Sequence, residues 1–190
     1  MSTGLRRCFL GIALPEAVRG QLAAWCAANR TPALDGTWVK AENFHITLRF
    51  LGDLDDVQRH ALDRRVADAF GKCQAAGLRL ADVGAFPDAR RPRVLWAGAE
   101  ILDGALEPLF EAAESGARAI GLPPETRPAA AHVTLLRLRI PPRGGLPRTL
   151  LDAGRAFVSD AFEARAVALW ESTPGPGGAR YAQLKEYPLT

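Results

Sequence analysis

A chain of 190 residues with 48% hydrophobic and 24% charged residues fits one soluble domain, or two small lobes sharing a cleft, with a core of ordinary size. No apolar run is long enough to span a membrane. Three scattered cysteines, Cys8, Cys26 and Cys73, exclude a disulfide framework or a Cys-x-x-Cys zinc site. The formal charge of +3 and pI near 9.0 come mostly from arginine, which greatly outnumbers lysine and suits bidentate contact with phosphate.

Residues 9–14 read as a first buried strand rather than a secretory signal. The basic start and apolar stretch run straight into Pro15-Glu16 without a small-residue cleavage site, so a cytoplasmic protein is expected. Pro15 opens a helix carrying Val18, Leu22, Trp25 and Cys26 on one side and ending before Thr31-Pro32. A loop through Gly36 leads to Trp38-Val39 and a strand in which Phe44, Ile46, Leu48 and Phe50 share one face while His45, Thr47 and Arg49 share the other. Gly52-Asp53 ends that strand. Val57, Leu62, Val66, Phe70 and Cys73 mark a long helix.

Short strands at 78–83 and 94–98 flank the Arg- and Pro-rich loop 86–92. A helix with Leu102, Leu106, Leu109, Phe110, Ala113, Ala117 and Ile120 comes next. The loop 122–128 delivers a second motif segment. The tail offers alternating segments at 162–170 and 181–187 around a flexible turn at 174–178. Similar elements thus recur in similar order, which predicts an α+β, bilobal, duplicated fold. Two largely antiparallel sheets would line a central cleft with helices outside, over a single domain spanning 1–190.

Two of the three histidines open the same tetrapeptide, His45-Ile46-Thr47-Leu48 and His132-Val133-Thr134-Leu135, 87 residues apart by numbering. In a strand, His-x-Thr projects an imidazole and a hydroxyl from one face. Two such strands across a groove supply a general base, a general acid and hydroxyls for the oxygens of a phosphate. An arginine would stabilise the charge built on those oxygens. Strict alternation places Arg49 on the His45 face and Arg137 away from the His132 face, so spacing alone prefers Arg49. A zinc site would need a third ligand, and no acid shares a motif face. Asp53, Asp55 and Asp56 read as a turn and helix start. His60 reads as an exposed helix residue, and Arg90, Arg91 and Arg93 as a solvated loop able to guide an anionic strand.

The paired motifs, with the second extended to Arg137, resemble the 2H phosphoesterase superfamily. Within it, the stretches 9–15, 39–52, 93–98 and 178–181 make the chain similar to the bacterial and archaeal RNA 2′,3′-cyclic phosphodiesterases, also called 2′-5′ RNA ligases. That resemblance implies hydrolysis of an RNA-terminal 2′,3′-cyclic phosphate to a 2′-phosphate, with reversible 2′-5′ ligation through the same species. No metal and no cofactor are needed. His45 would be the proton donor and His132 the proton acceptor, with Thr47, Thr134 and Arg137 on the phosphate and Arg49, Arg93 and Tyr181 as further substrate contacts. The resemblance favours Arg137 over Arg49, which requires the second strand to leave regular alternation near Leu136.

It also implies RNA ends as partners, tRNA fragments among them, and a monomer away from membranes. Relatives carry an aromatic residue and a proline where this chain has Ala129 and Ala131, so the base contact is weaker or comes from elsewhere. Other substrates that keep the chemistry are a small cyclic nucleotide-like phosphate or a 2′-5′ oligonucleotide. A non-catalytic RNA-end binding module would not need a matched acid and base.

Overall fold

The computed structural model describes residues 4–176 and 178–190. Its first strand, β1 (Arg6–Ala13), is followed by α1 (Glu16–Ala28), a short β2 (Gly36–Trp38), and a 3-10 turn (Ala41–Asn43) that leads into β3 (His45–Leu54). Next come α2 (Asp56–Phe70), β4 (Ala76–Phe86), β5 (Val94–Asp103), α3 (Glu107–Ala119) and β6 (His132–Leu138). The chain closes with α4 (Arg148–Arg155), β7 (Phe162–Ala164), β8 (Ala166–Thr173) and β9 (Arg180–Pro188).

Every pairing among these strands is antiparallel, and the order is β7-β4-β5-β6-β3-β1-β8-β9 with β2 beside β6. The fold is thus α+β and duplicated, with four strands of each half in one curled sheet. The two expected sheets are joined edge to edge at a single registered pair, Ile46 with Val133. Beyond that pair β6 changes neighbour, and β2 takes over opposite Leu136, Arg137 and Leu138. One face of the sheet carries the core, including Leu10, Ile12, Ile46, Leu48, Leu95, Val133 and Leu135, under the helices. The concave face carries the motif side chains.

Helices are set by ordinary local rules. Asp55 caps α2 by accepting from the Gln58 amide at 2.7 Å, while the Gln58 side chain accepts from the Asp55 amide at 3.2 Å. Asp55 is therefore a cap, as its position before a helix suggests. α2 and α3 pack together, and α3 lies under β3. α1 reaches the other half, where the Trp25 indole donates to the Ala153 carbonyl of α4 at 3.2 Å.

Several boundaries differ from those read off the sequence. β5 runs to Asp103, so Leu102 is a half-exposed strand residue and not the start of α3. The segment 162–170 is two strands. β7 pairs with β4 at one end of the sheet, and β8 then pairs with β1 in the other half, the switch falling at Arg165. β2 and α4 have no expected counterpart. Each is short and presents few apolar positions to betray it, only Leu150 and Gly154 of α4 being buried. Gly177, in the expected turn at 174–178, lies outside the described residues.

Candidate active site

The Ile46–Val133 pair sets the site. One residue further along each antiparallel strand, His45 stands across from Thr134 and Thr47 across from His132. The two imidazoles are thus diagonal neighbours, on the order of 7–8 Å apart at the backbone.

Both rings are oriented in the same way. His45 Nδ1 donates to the Asn43 carbonyl at 2.7 Å, and His132 Nδ1 donates to the Ala130 carbonyl at 2.7 Å. A carbonyl can only accept, so each neutral ring carries its proton on Nδ1 and keeps a lone pair on Nε2. The Thr47 hydroxyl donates to His45 Nε2 at 2.9 Å. Burial pushes the His45 imidazole down to about 4 from 6.5, with the Arg137 and His132 charges adding to it. His132 is lowered as well, first by burial and then by Arg137.

Both motif strands carry a bulge at the same place. Opposite the step from Leu10 to Gly11, β3 goes from Arg49 to Thr47, so Leu48 is an extra residue. Opposite the step from Leu95 to Trp96, β6 goes from Leu136 to Thr134, so Leu135 is extra. Each bulge reverses the faces beyond it. Leu135 and Leu136 are both buried, and Arg137 emerges exposed on the side of His132 and Thr134. Its charge acts on His45, His132 and Tyr181 alike.

The same device overturns the alternation expected for β3. Leu48 and Arg49 are both buried, and Phe50 emerges at 45% exposure on the His45 side. Arg49 is turned away from the motif side chains. It donates to Glu114 at 2.7 Å, to the Pro123 carbonyl at 2.6 Å and to the Phe50 carbonyl at 2.7 Å, tying β3 to α3 and the loop after it.

Aromatic rings fix both imidazoles. Phe9 lies 4.6 Å from the His45 ring, and Tyr181 meets it edge-on at 5.1 Å. Gly11 lets β1 approach β3 beside the ring, because a Cβ there would stand 2.7 Å from the Ile46 carbonyl oxygen while meeting His45 Cδ2 only at ordinary contact distance. Phe86 meets His132 edge-on at 5.1 Å, backed by Trp96 at 5.2 Å, which lies over Gly84 and Gly98.

A family model for LigT-like phosphoesterases matches residues 12–96 and 100–181, covering both motif strands. This chain belongs to the LigT-like phosphoesterases. This LigT-like phosphoesterase is 31% identical over 155 residues to the RNA 2′,3′-cyclic phosphodiesterase of Aquifex aeolicus, covering 81% of this chain and 82% of that one. It is 30% identical to the Escherichia coli K12 protein of the same name over 97% of each chain. Its structure matches the apo crystal structure of E. coli LigT with a TM-score of 0.76 at 26% identity, covering 98% and 99% of the chains. The E. coli LigT complex with 3′-AMP matches with a TM-score of 0.75 at 27% identity and the same coverage.

In this LigT-like phosphoesterase the structure therefore gathers His45, His132, Thr47, Thr134, Arg137 and Tyr181 on one face. Arg93 immediately precedes β5, one residue before Val94, the register partner of Arg137. It is exposed, with its amide bonded to the Phe86 carbonyl and its carbonyl to the Leu138 amide, and has no ion pair among the described residues. His60 is exposed on α2. Among the described residues, no three His, Cys, Asp or Glu side chains cluster as metal ligands would.

Asn43 is a residue that sequence reasoning did not single out. Its carbonyl fixes the His45 tautomer, and its nearly buried side chain donates to the Ala179 carbonyl at 2.7 Å, two residues before Tyr181. A carbonyl role has no residue signature, and its partner is 136 positions away, so no local pattern announces it.

Proposed function

We propose that this chain hydrolyses an RNA-terminal 2′,3′-cyclic phosphate to a 2′-phosphate with its two histidines as the acid and base. The observation that carries the reading is the matched pair of imidazoles. Each has Nδ1 held by the carbonyl two residues upstream, and the two flank the hydroxyls of Thr47 and Thr134 beside Arg137. A binding module has no use for two imidazoles fixed in the same tautomer.

In this reading Thr47, Thr134 and Arg137 hold the non-bridging oxygens of the phosphate. His132 Nε2 takes a proton from water as the water oxygen bonds to phosphorus. The bond from phosphorus to the 3′ oxygen breaks, and His45, protonated at Nε2, gives its proton to that oxygen. Thr47 leaves His45 Nε2 for the phosphate when substrate arrives. Reverse attack by an RNA hydroxyl in place of water would form a 2′-5′ link through the same steps. The curated relatives named as RNA 2′,3′-cyclic phosphodiesterases support RNA as the substrate class, and RNA ends, tRNA fragments among them, are the substrates proposed within it. The recurrence of motif and bulge in β3 and β6 supports one domain of two related lobes, 1–190. Three buried free thiols support a reducing, cytoplasmic setting, and a monomer suffices because one chain holds both histidines.

Product analysis on an RNA ending in a 2′,3′-cyclic phosphate tests this. The expected product is a 2′-phosphate, formed in EDTA as without it. H45A and H132A should each lose about 10²–10⁴-fold in kcat with the fold intact by circular dichroism. Turnover within twofold of wild type in either variant rules out the two-histidine mechanism.

A further inference from the structure

Position five after each motif histidine carries different chemistry in the two strands. In β6 it is Arg137, and in β3 it is Phe50, both turned to the concave face by the same bulge. Phe50 pairs across the strands with Phe9, which pairs with Trp170 in turn, so three rings form a row over β3, β1 and β8. The Phe50 and Phe9 ring centres are 6.1 Å apart, and Phe9 is itself packed on the His45 imidazole at 4.6 Å. The row is thus continuous with the catalytic histidine, yet its outer ring is left 45% exposed.

The three residues leading into β6 carry no large side chain that could cover that ring. In an antiparallel pair, residues before His132 run beside residues after Thr47. Only Ile46 and Val133 are in register between β3 and β6, and on the opposite face Arg49 bonds the Pro123 carbonyl of the loop before β6. The stretch of that loop leading to His132 is Ala129, Ala130 and Ala131, whose methyl groups cannot cap a phenyl ring. An open planar apolar surface therefore stands about three residues, or roughly 10 Å of strand, from the phosphate hydroxyl of Thr47. Its counterpart across the site is a cation.

We infer that Phe50 is the stacking platform for the nucleobase of the nucleotide whose phosphate lies between His45 and His132, an inference that rests on the cyclic-phosphate reading. A ligand anionic at one end and planar at the other matches this pairing of Arg137 with Phe50. Stacking on a phenyl face tolerates every base, since each has a π-face, and gains with ring area, so purines bind more tightly than pyrimidines.

Steady-state hydrolysis of 2′,3′-cyclic AMP and of base-free glycerol 1,2-cyclic phosphate by the whole chain tests the assignment. The preference of kcat/KM for the nucleotide over the base-free compound should fall about tenfold in F50A and in F50L, chiefly through KM, and persist in F50W. The inference is overturned if the preference survives in F50A, if F50A loses equally on both compounds, or if the fall appears in F86A instead. Failure of the wild type to turn over either compound overturns the cyclic-phosphate reading itself, and the base platform with it.

Discussion

Because His45 is held near 4 and His132 also lies below the ordinary histidine range, the resting site at neutral pH holds two neutral imidazoles. The proposed acid–base mechanism needs one of them charged. Free enzyme with His45 protonated is therefore scarce above pH 6.5, whereas a bound phosphate anion draws the proton back onto His45 Nε2. The kcat/KM profile, which reports free enzyme, should peak on the acid side of 6.5, and the kcat profile should peak at a higher pH. Coincident optima would show that substrate does not raise the acid. The same shift bears on stability. A histidine whose folded value is lowered from 6.5 to about 4 stabilises the fold fully above 6.5, and that contribution drains away as pH falls through 4. Urea titrations from pH 7.5 to 4.5 should show wild type losing about 2 kcal/mol more than His45→Gln. Parallel losses would mean that His45 is not the group responsible.

At the scale of an element, two arginines near the motifs exchange the roles that spacing assigns them. Alternation places Arg49 on the histidine face and Arg137 off it. A one-residue bulge at the leucine of each motif reverses both, burying Arg49 against Glu114 and freeing Arg137. The motif positions His45, Thr47, His132 and Thr134 were legible because they precede the bulge, where period two still holds. The positions beyond the bulge were not, because Leu-Leu and Leu-Arg carry no mark of an inserted residue, and only the partner strand's register reveals it. The resemblance nevertheless required a departure near Leu136, and the bulge lies one residue before it. Arg49→Ala should destabilise the chain by about 2–3 kcal/mol, since Glu114 and the Pro123 carbonyl lose a buried donor. Below its melting temperature it should still turn over substrate. Arg137→Ala should do the opposite, keeping the melting temperature of the wild type within about a degree and losing on the order of 10²-fold in kcat/KM. Equal loss of activity in both variants would return Arg49 to the site.

On the scale of the whole molecule, the repeated order of strands and helices gave the duplicated α+β plan, but not its closure. Periodicity describes elements singly, and it could not show β7 and β8 serving opposite halves or the two sheets fusing through one pair. That junction has a thermodynamic consequence. Few backbone bonds join β3 to β6, yet the proposed phosphate ligands come from both strands, Thr47 from one and Thr134 and Arg137 from the other. An anion bound there links the halves, and it should stabilise them together. Inorganic phosphate at about 100 times its Kd adds about 2.7 kcal/mol to folding and raises Tm accordingly. Hydrogen exchange should slow at Ile46 and Val133 and in the strands on both sides of them. The effect should vanish in Arg137→Ala and weaken in Thr47→Ala. Protection confined to β5 and β6 would place the anion on one half alone and remove Thr47 from its ligands.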